Sequence, residues 1–303
     1  ICNHILRIKS PYTGLITSQC MHMHYPEKRD FMTHNQAYHH QSWALVTGAS
    51  SGIGLAYSEE LAKQQQAVIL VARNEAKLEE VSEKLRIQYD VPTKVITADL
   101  ATPEGIKKVI QHTQGLNIST LINNAGKEES GNFLSLAPGD MLSSIALNCS
   151  APLLLSHHFA NKMAKRGTGN LLFVSSIVAF QGVPLIANYA ATKSYLLTFA
   201  EGLARELAPK GVNISIAAPG FTNTNLAAQM DFSSTPIKPL EAAYVARYTL
   251  NKLGKKRIII PGFINKVLYF LGKYLQPRAV NSLAFGRVFK MVLGKKLALE
   301  NAP

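Results

Sequence analysis

Trp43–Gly54 reads WALVTGASSGIG: a short apolar run, a turn carrying Gly48, Gly52 and Gly54, and the start of a helical run that continues through Gln65. Strand, glycine-rich turn and helix in that order form the context in which glycines serve a dinucleotide. They let the backbone turn tightly and approach a pyrophosphate, whose charge is favoured at a helix N-terminus. Gly48, Ser50, Ser51, Gly52, Ile53 and Gly54 are therefore candidate cofactor contacts. A glycine pattern alone is weak; its place at the first strand–helix junction strengthens it.

Working outward, Ala67–Ala72 (AVILVA) is continuously apolar, as a strand covered on both faces should be. An NAD-preferring fold usually places an acid at this strand's end to bind the ribose 2′-hydroxyl. Here Arg73 and Asn74 follow, and a guanidinium suits a 2′-phosphate, so the expected cofactor is NADP(H). The plain alternative is a surface arginine after a strand.

Helical and strand-like segments keep alternating: Asn74–Tyr89 helical, Thr93–Ala98 extended, Pro103–Gln114 helical, Ile118–Ile122 extended. A long helix is expected over Met141–Lys165, a strand over Leu171–Ser175, a helix running to Ala208 and a sixth strand at Val212–Ala217. This spacing predicts an α/β fold with a doubly wound parallel sheet, Rossmann-type, binding ligands at the carboxyl ends of its strands. At such ends lie Asp99 and Leu100, then Asn124, Ala125 and Gly126, then Pro219 and Gly220. Asp99 could accept from an adenine amino group or simply cap a helix. Small residues at 124–126 let a nucleotide lie close, though they would equally serve a sharp turn.

Leu171–Lys193 (LLFVSSIVAFQGVPLIANYAATK) carries the candidate chemistry. Tyr189 and Lys193, four apart on a helix, share one face. A neighbouring ammonium favours the phenolate, so Lys193 is expected to lower the Tyr189 pKa and tune it for proton exchange with a carbonyl or alcohol. Ser176 at the preceding strand end would hold the substrate oxygen. Tyrosine and lysine at this spacing are common by chance; their company is not. Asn148, midway along the long helix, either joins this group or satisfies a neighbouring carbonyl as a core amide.

These motifs resemble the short-chain dehydrogenase/reductase family, in its compact single-domain branch. TGASSGIG at 47–54, Asp99, NNAG at 123–126, Asn148, Ser176, YAATK at 189–193 and PG at 219–220 match in order, over about residues 42–260. The resemblance implies that Tyr189 is the general acid in reduction and the base in oxidation. It implies that Lys193 also binds the nicotinamide ribose, that Ser176 positions the carbonyl, and that Asn148 supports a water-linked proton path to Lys193. Thr222 and Thr224 match the segment that holds the nicotinamide carboxamide, with Thr222 standing where the family usually has Val or Ile. The family also forms dimers or tetramers through its two long helices, here around 140–166 and 187–208.

Composition sets the surroundings. The 303 residues are 47% hydrophobic and 17% charged, ample for a buried core. Cys2, Cys20 and Cys149 are too few and scattered for a disulfide framework or a zinc site, which points to a reducing, cytoplasmic setting and no metal. Residues 1–41, with a cluster of histidines and no periodicity, are expected to be a disordered leader outside the mature protein in part. No stretch is long and apolar enough to predict a spanning helix.

The net charge of +13 is uneven: residues 242–299 hold twelve Lys or Arg and no acid, while the rest carries only +1. Within 261–303, a basic amphipathic helical extension, Phe263–Leu275 gathers apolar residues on one helical face, with Phe263, Val267, Phe270 and Leu271 as lid candidates. Ala279–Leu299 is a second helical candidate. This extension either covers the substrate cleft or meets a peripheral membrane surface or acidic carrier; no nucleic-acid recognition motif accompanies it. The expected function is NADP(H)-dependent hydride transfer at the carbonyl or alcohol carbon of a hydrophobic acyl, steroid-like or lipid substrate. The competing expectation is an idle relative that senses NADP(H) without turnover.

Overall fold

In a computed structural model describing residues 42–228, 230–233 and 235–300, seven parallel strands form the central sheet. The leader assigned to residues 1–41 lies outside the described residues. In chain order the strands are β1 (Ser42–Thr47), β2 (Ala67–Ala72), β3 (Thr93–Thr97), β4 (Asn117–Asn123), β5 (Gly169–Val174), β6 (Val212–Ala217) and a short last strand, Ile258–Ile259. Their spatial order is β3-β2-β1-β4-β5-β6 with Ile258–Ile259 at the edge. The order reverses between β1 and β4, the crevice where such sheets bind ligands.

Both faces are covered, and β1 shows how. Trp43 and Leu45 face one layer, with Phe159 and Leu155 of the helix Ala151–Arg166 and Leu196 of the helix Ala187–Leu207. Ala44 and Val46 face the other, with Tyr57 and Leu61 of Gly52–Lys63 and Leu78 of Glu75–Tyr89. Leu45 and Val46 are completely buried. Each such side chain contributes about 1.5–3 kcal/mol, which is why alternate residues of one strand can be apolar in both directions.

Numbered in order, the helices are α1 (Gly52–Lys63), α2 (Glu75–Tyr89), α3 (Pro103–His112), α4 (Pro138–Ile145), α5 (Ala151–Arg166), α6 (Ala187–Leu207) and α7 (Ala242–Leu250), followed by α8 (Phe263–Phe270), α9 (Arg278–Val292) and α10 (Gly294–Glu300). Asn74 caps α2, its side chain accepting from the Lys77 N–H at 2.9 Å. Thr102 does the same for α3 through the Gly105 N–H at 3.1 Å.

Several expectations change. The long helix over Met141–Lys165 is two helices, α4 and α5, joined by a wide π turn at Ala146–Ser150. Pro152 has no N–H for the carbonyl of Asn148, so the α ladder is already broken where the turn widens. Phe263–Leu275 likewise divides into α8 and a π turn at Leu271–Leu275, and Ala279–Leu299 divides into α9 and α10. The edge strand Ile258–Ile259, helix α7 and the two-residue pair β7 (Thr222–Asn223) with β8 (Leu240–Glu241) had no counterpart in the pattern reading. They are too short, or in the helix's case too mixed, to carry a period.

The lid is also elsewhere. Phe263, Phe270 and Val267 are exposed on α8, at 79%, 54% and 39%, whereas α9 turns Phe289 and Val292 inward over Ile177, Val178 and Tyr189. Phe289 meets Phe221 with ring centroids 5.3 Å apart, and the Asp231 N–H donates to the Val292 carbonyl at 2.8 Å. That pairing gives α9 the covering position and leaves the α8 face outside. None of the helices among the described residues is long and apolar enough to cross a membrane.

Candidate active site

The glycine turn is fastened to the end of β4. Thr47 Oγ1 accepts from the Asn124 and Ala125 N–H groups at 2.9 and 3.0 Å and donates to the Ile122 carbonyl at 3.2 Å. Asn124 Nδ2 returns a bond to the Thr47 carbonyl at 2.9 Å. The approach is so close that a Cβ at Gly54 would overlap the Gly48 carbonyl, and one at Gly48 would stand 2.9 Å from Asn124 Nδ2. Gly48 also has φ +69°, a conformation glycine adopts without strain. The two motifs thus form one shallow cradle of backbone, with Ser50, Ser51, Gly52 and Ile53 on its rim.

Arg73, Asn74, Asp99 and Leu100 line the same groove beyond β2 and β3. Arg73 is exposed there. Asn74 is committed to capping α2, and Asp99 Oδ1 accepts from the Ala101 N–H at 3.0 Å. Asp99 thus closes the turn before α3, whose cap is Thr102, and does not itself cap the helix.

The other end is built on β5 and α6. Ser175 Oγ donates to the Lys193 carbonyl at 2.8 Å, tying the strand end to the helix. Ser176 Oγ accepts from the Val178 N–H at 3.4 Å, and the Ile177 N–H donates to the Pro219 carbonyl at 2.9 Å. These bonds set Ser176 between α6 and the segment Pro219–Thr224, where Gly220, Thr222 and Thr224 also line the groove. Lys193 Nζ donates to the Val174 carbonyl at 2.9 Å and stands 5.6 Å from the Tyr189 ring centroid.

Electrostatics in this pocket run against the expectation that Lys193 pulls the Tyr189 phenol down. The phenol is pushed above its ordinary value, first by burial and then by the carboxylate of Glu128, with Ser176 acting in the opposite sense. Lys193, only 4% exposed, is pushed down to about 8 by burial. Desolvation is the largest cause of both shifts.

Asn148 does not face the groove. It is fully buried on the π turn, where Oδ1 accepts from the Lys127 N–H at 2.9 Å and Nδ2 donates to the Lys127 carbonyl at 2.9 Å and to Thr192 Oγ1 at 3.0 Å. It clamps the loop after Gly126 to the helix bearing Tyr189. Gly54, also absent from the groove's surface, lies behind the cradle.

A cavity of about 920 Å³ runs from Arg73 past Tyr189 and Lys193 to Phe285, Phe289 and Leu293. Met230, Phe221 and Ile177 add to its apolar end. Glu128 lines its middle, partly buried, its carboxyl raised to about 7 by burial and then by Glu129, against the pull of Lys296 and Lys193. Sequence reasoning singled out neither Glu128, Thr47 nor the α9 phenylalanines. Thr47 stood inside a quoted motif; the others follow no spacing rule. Among the described residues no cluster of three His, Cys, Asp or Glu could hold a metal.

A family profile described as short chain dehydrogenase matches residues 42–233. The chain is 35% identical over 188 residues to a very-long-chain 3-oxoacyl-CoA reductase-B from Danio rerio, covering 61% of this chain and 60% of that protein. It is 33% identical over 187 residues to the 3-oxoacyl-[acyl-carrier-protein] reductase FabG of Aquifex aeolicus, covering 61% and 75%. The chain spans about 60% of the length of the long-chain reductases it matches. Among solved structures, a 7beta-hydroxysteroid dehydrogenase superposes with TM-score 0.74 at 26% identity, covering 81% of this chain and 96% of that one. A short-chain dehydrogenase from Sphingobium yanoikuyae in complex with NADPH superposes with TM-score 0.69 at 28% identity, covering 78% and 96%.

Proposed function

The chain belongs to the short-chain dehydrogenase family, and on that premise we propose that it is an NADP(H)-dependent oxidoreductase reducing a carbonyl on a hydrophobic acyl, steroid-like or lipid substrate. One observation carries this reading: a single cavity joins the glycine cradle, the Ser176–Tyr189–Lys193 group and the apolar wall of Phe285, Phe289 and Leu293. The long-chain 3-oxoacyl reductases among the relatives favour the acyl end of that range.

The cradle suits a dinucleotide because its floor is bare backbone, where a side chain at Gly48 would collide with Asn124. Gly48–Ile53 and Asn124–Gly126 would hold the pyrophosphate and adjoining ribose, Arg73 a 2′-phosphate, and Pro219–Thr224 the nicotinamide carboxamide. NADPH held by these residues would supply the hydride for the carbonyl carbon. Ser176 and Tyr189 hold the carbonyl oxygen, and the Tyr189 hydroxyl gives it a proton as negative charge develops. Lys193 steadies the charge left on the phenol. Asn148 holds the Lys127 backbone that borders the site.

The catalytic unit in this reading is 42–260, and the helices beyond it wall the substrate end and meet an anionic membrane surface through α8. Leu142, Leu153, Leu154 and Tyr195, exposed on α4, α5 and α6, are the self-association surface of a homodimer or homotetramer. A screen of ketones, 3-oxoacyl thioesters, retinoids and sugars, read as NADPH oxidation, tests the activity. Tight NADPH binding with no turnover on any of them would favour the idle, cofactor-sensing alternative.

A further inference from the structure

Glu128 has no part in the mechanism above, yet it is held where a substrate would pass. Its loop is pinned on every side: Lys127 by Asn148, the Gly131 N–H on the Leu185 carbonyl at 2.9 Å, and the Ser130 carbonyl by Lys296 Nζ at 2.6 Å. Neighbouring Glu129 is turned away, its Oε2 accepting from Asn188 Nδ2 at 3.4 Å. Glu128 instead lines the cavity with no hydrogen-bond partner among the described residues, near enough to Tyr189 and Lys193 for its charge to act on both.

A partly buried carboxyl without a hydrogen-bond partner is costly as an anion. It becomes useful when protonated, because it then donates a hydrogen bond. Ser176 and Tyr189 already claim the reacting oxygen, so the donor is available to a second acceptor on the same substrate. Resting on the reading of the site given above, we propose that Glu128 is a specificity-determining residue: its protonated carboxyl donates to a second carbonyl oxygen, selecting 3-oxoacyl thioesters and similar 1,3-dicarbonyl lipids over simple ketones.

The charges facing Glu128 are Glu129 on its own loop, Tyr189 and Lys193 on α6, and Lys296 on α10. Burial and Glu129 favour the protonated form, Lys296 and Lys193 the ionised one, and the balance at about 7 leaves both forms populated near neutrality. Donation is therefore strongest below neutrality and fades as pH rises through that value.

The test compares the full chain with Glu128→Gln and Glu128→Ala, using NADPH, a long-chain 3-oxoacyl N-acetylcysteamine thioester and a methyl ketone of equal chain length. In Glu128→Ala the ratio of kcat/KM for thioester over ketone should fall roughly two- to tenfold, the range of one hydrogen bond. In the unmutated chain KM for the thioester should rise with pH through about 7. Glu128→Gln, whose amide donates at every pH, should keep the preference and lose that rise. An unchanged ratio in Glu128→Ala, an equal loss on both substrates, or a thioester KM that falls with rising pH would each overturn the proposal. Failure of the unmutated chain to reduce either substrate is a separate result, and it would overturn the reading of the site itself.

Discussion

Lys193 reaches past Tyr189 to the Val174 carbonyl: its Nζ is 2.9 Å from that oxygen and 5.6 Å from the centre of the Tyr189 ring. The ammonium is anchored to strand β5 rather than paired with the phenol, and both groups are buried. Tyr189 accordingly stays protonated through the neutral range, the form an acid needs, while Lys193 loses its proton at about 8. The catalytic expectation is directional. Reduction uses the phenol and the charged lysine together, so its kcat should hold below about 8 and decline above it. Oxidation needs a phenolate and should gain nothing in that interval, because the phenol lies above its ordinary value and the lysine is losing its charge. A reductive kcat that climbs as pH passes 8 would contradict this assignment.

Replacing Tyr189 by Phe removes the proton donor and little else, since the ring is 8% exposed and packed with Ile177, Val178 and Phe289. Turnover should fall by about 10²–10⁴-fold, the usual contribution of general acid–base catalysis. NADPH affinity, measured by fluorescence titration, should change little. Retention of a tenth or more of the activity, roughly, would remove Tyr189 from the mechanism.

Cofactor choice turns on Arg73, which stands exposed beside the groove with no acid at the end of β2. A charge-assisted contact to a 2′-phosphate is worth roughly 1.5–3 kcal/mol, or about ten- to a hundredfold in affinity. The intact chain should bind NADPH more tightly than NADH by that factor, and Arg73→Ala should erase most of the difference. Equal affinity for the two cofactors in the intact chain would sink the assignment.

Asn148 makes a stability prediction. Its amide satisfies both the N–H and the carbonyl of Lys127 at 2.9 Å each. Asn148→Leu, similar in size, strands the Lys127 N–H at about 1–3 kcal/mol and leaves the carbonyl only the Ser144 hydroxyl at 3.3 Å. Urea denaturation should therefore show a loss of about 1–3 kcal/mol, with turnover reduced because the Lys127–Ser130 border of the site loosens. A midpoint unchanged from that of the unmutated chain would mean the clamp is dispensable.

The sheet and the cradle were legible in the residues because both are written locally. A continuous apolar run of strand length between turns, such as Ala67–Ala72, fits a strand covered on both faces, and Gly48 and Gly54 mark a backbone approach too close for a side chain. Tyr189 and Lys193 were legible from helical spacing. Their protonation was not, because it depends on how deeply α6 sinks beneath α9 and on Glu128, some sixty residues away in sequence. The π turn at Asn148 was hidden for a similar reason: its residues keep a helical composition, and only the missing N–H of Pro152 hints at the break. The lid was misplaced because apolar periodicity in Phe263–Leu275 says that a face exists, not whether it finds the cavity.

The α8 face is where the last prediction lies. Phe263, Ile264, Phe270, Tyr274 and Leu275 are exposed at 54–79%, with no partner element over them among the described residues. Lys266 points back across the Tyr248 ring at 5.0 Å, and the whole interval 242–299 holds twelve basic residues without an acid. Apolar side chains beside Lys266 and Lys273 fit an anionic bilayer surface, where burial and about 1 kcal/mol per approaching lysine add together. Neither contribution anchors the chain alone, so attachment should be reversible and weakened by salt. Co-sedimentation should carry the protein down with phosphatidylserine-containing vesicles at low salt and leave it in solution with neutral ones. Phe263→Ser together with Phe270→Ser should abolish the binding while the reductase activity persists, because these rings face away from the cavity lined by Phe285 and Phe289. Protein that stays in the supernatant with anionic vesicles at low salt would exclude the membrane, and would leave the exposed face to a contact between subunits.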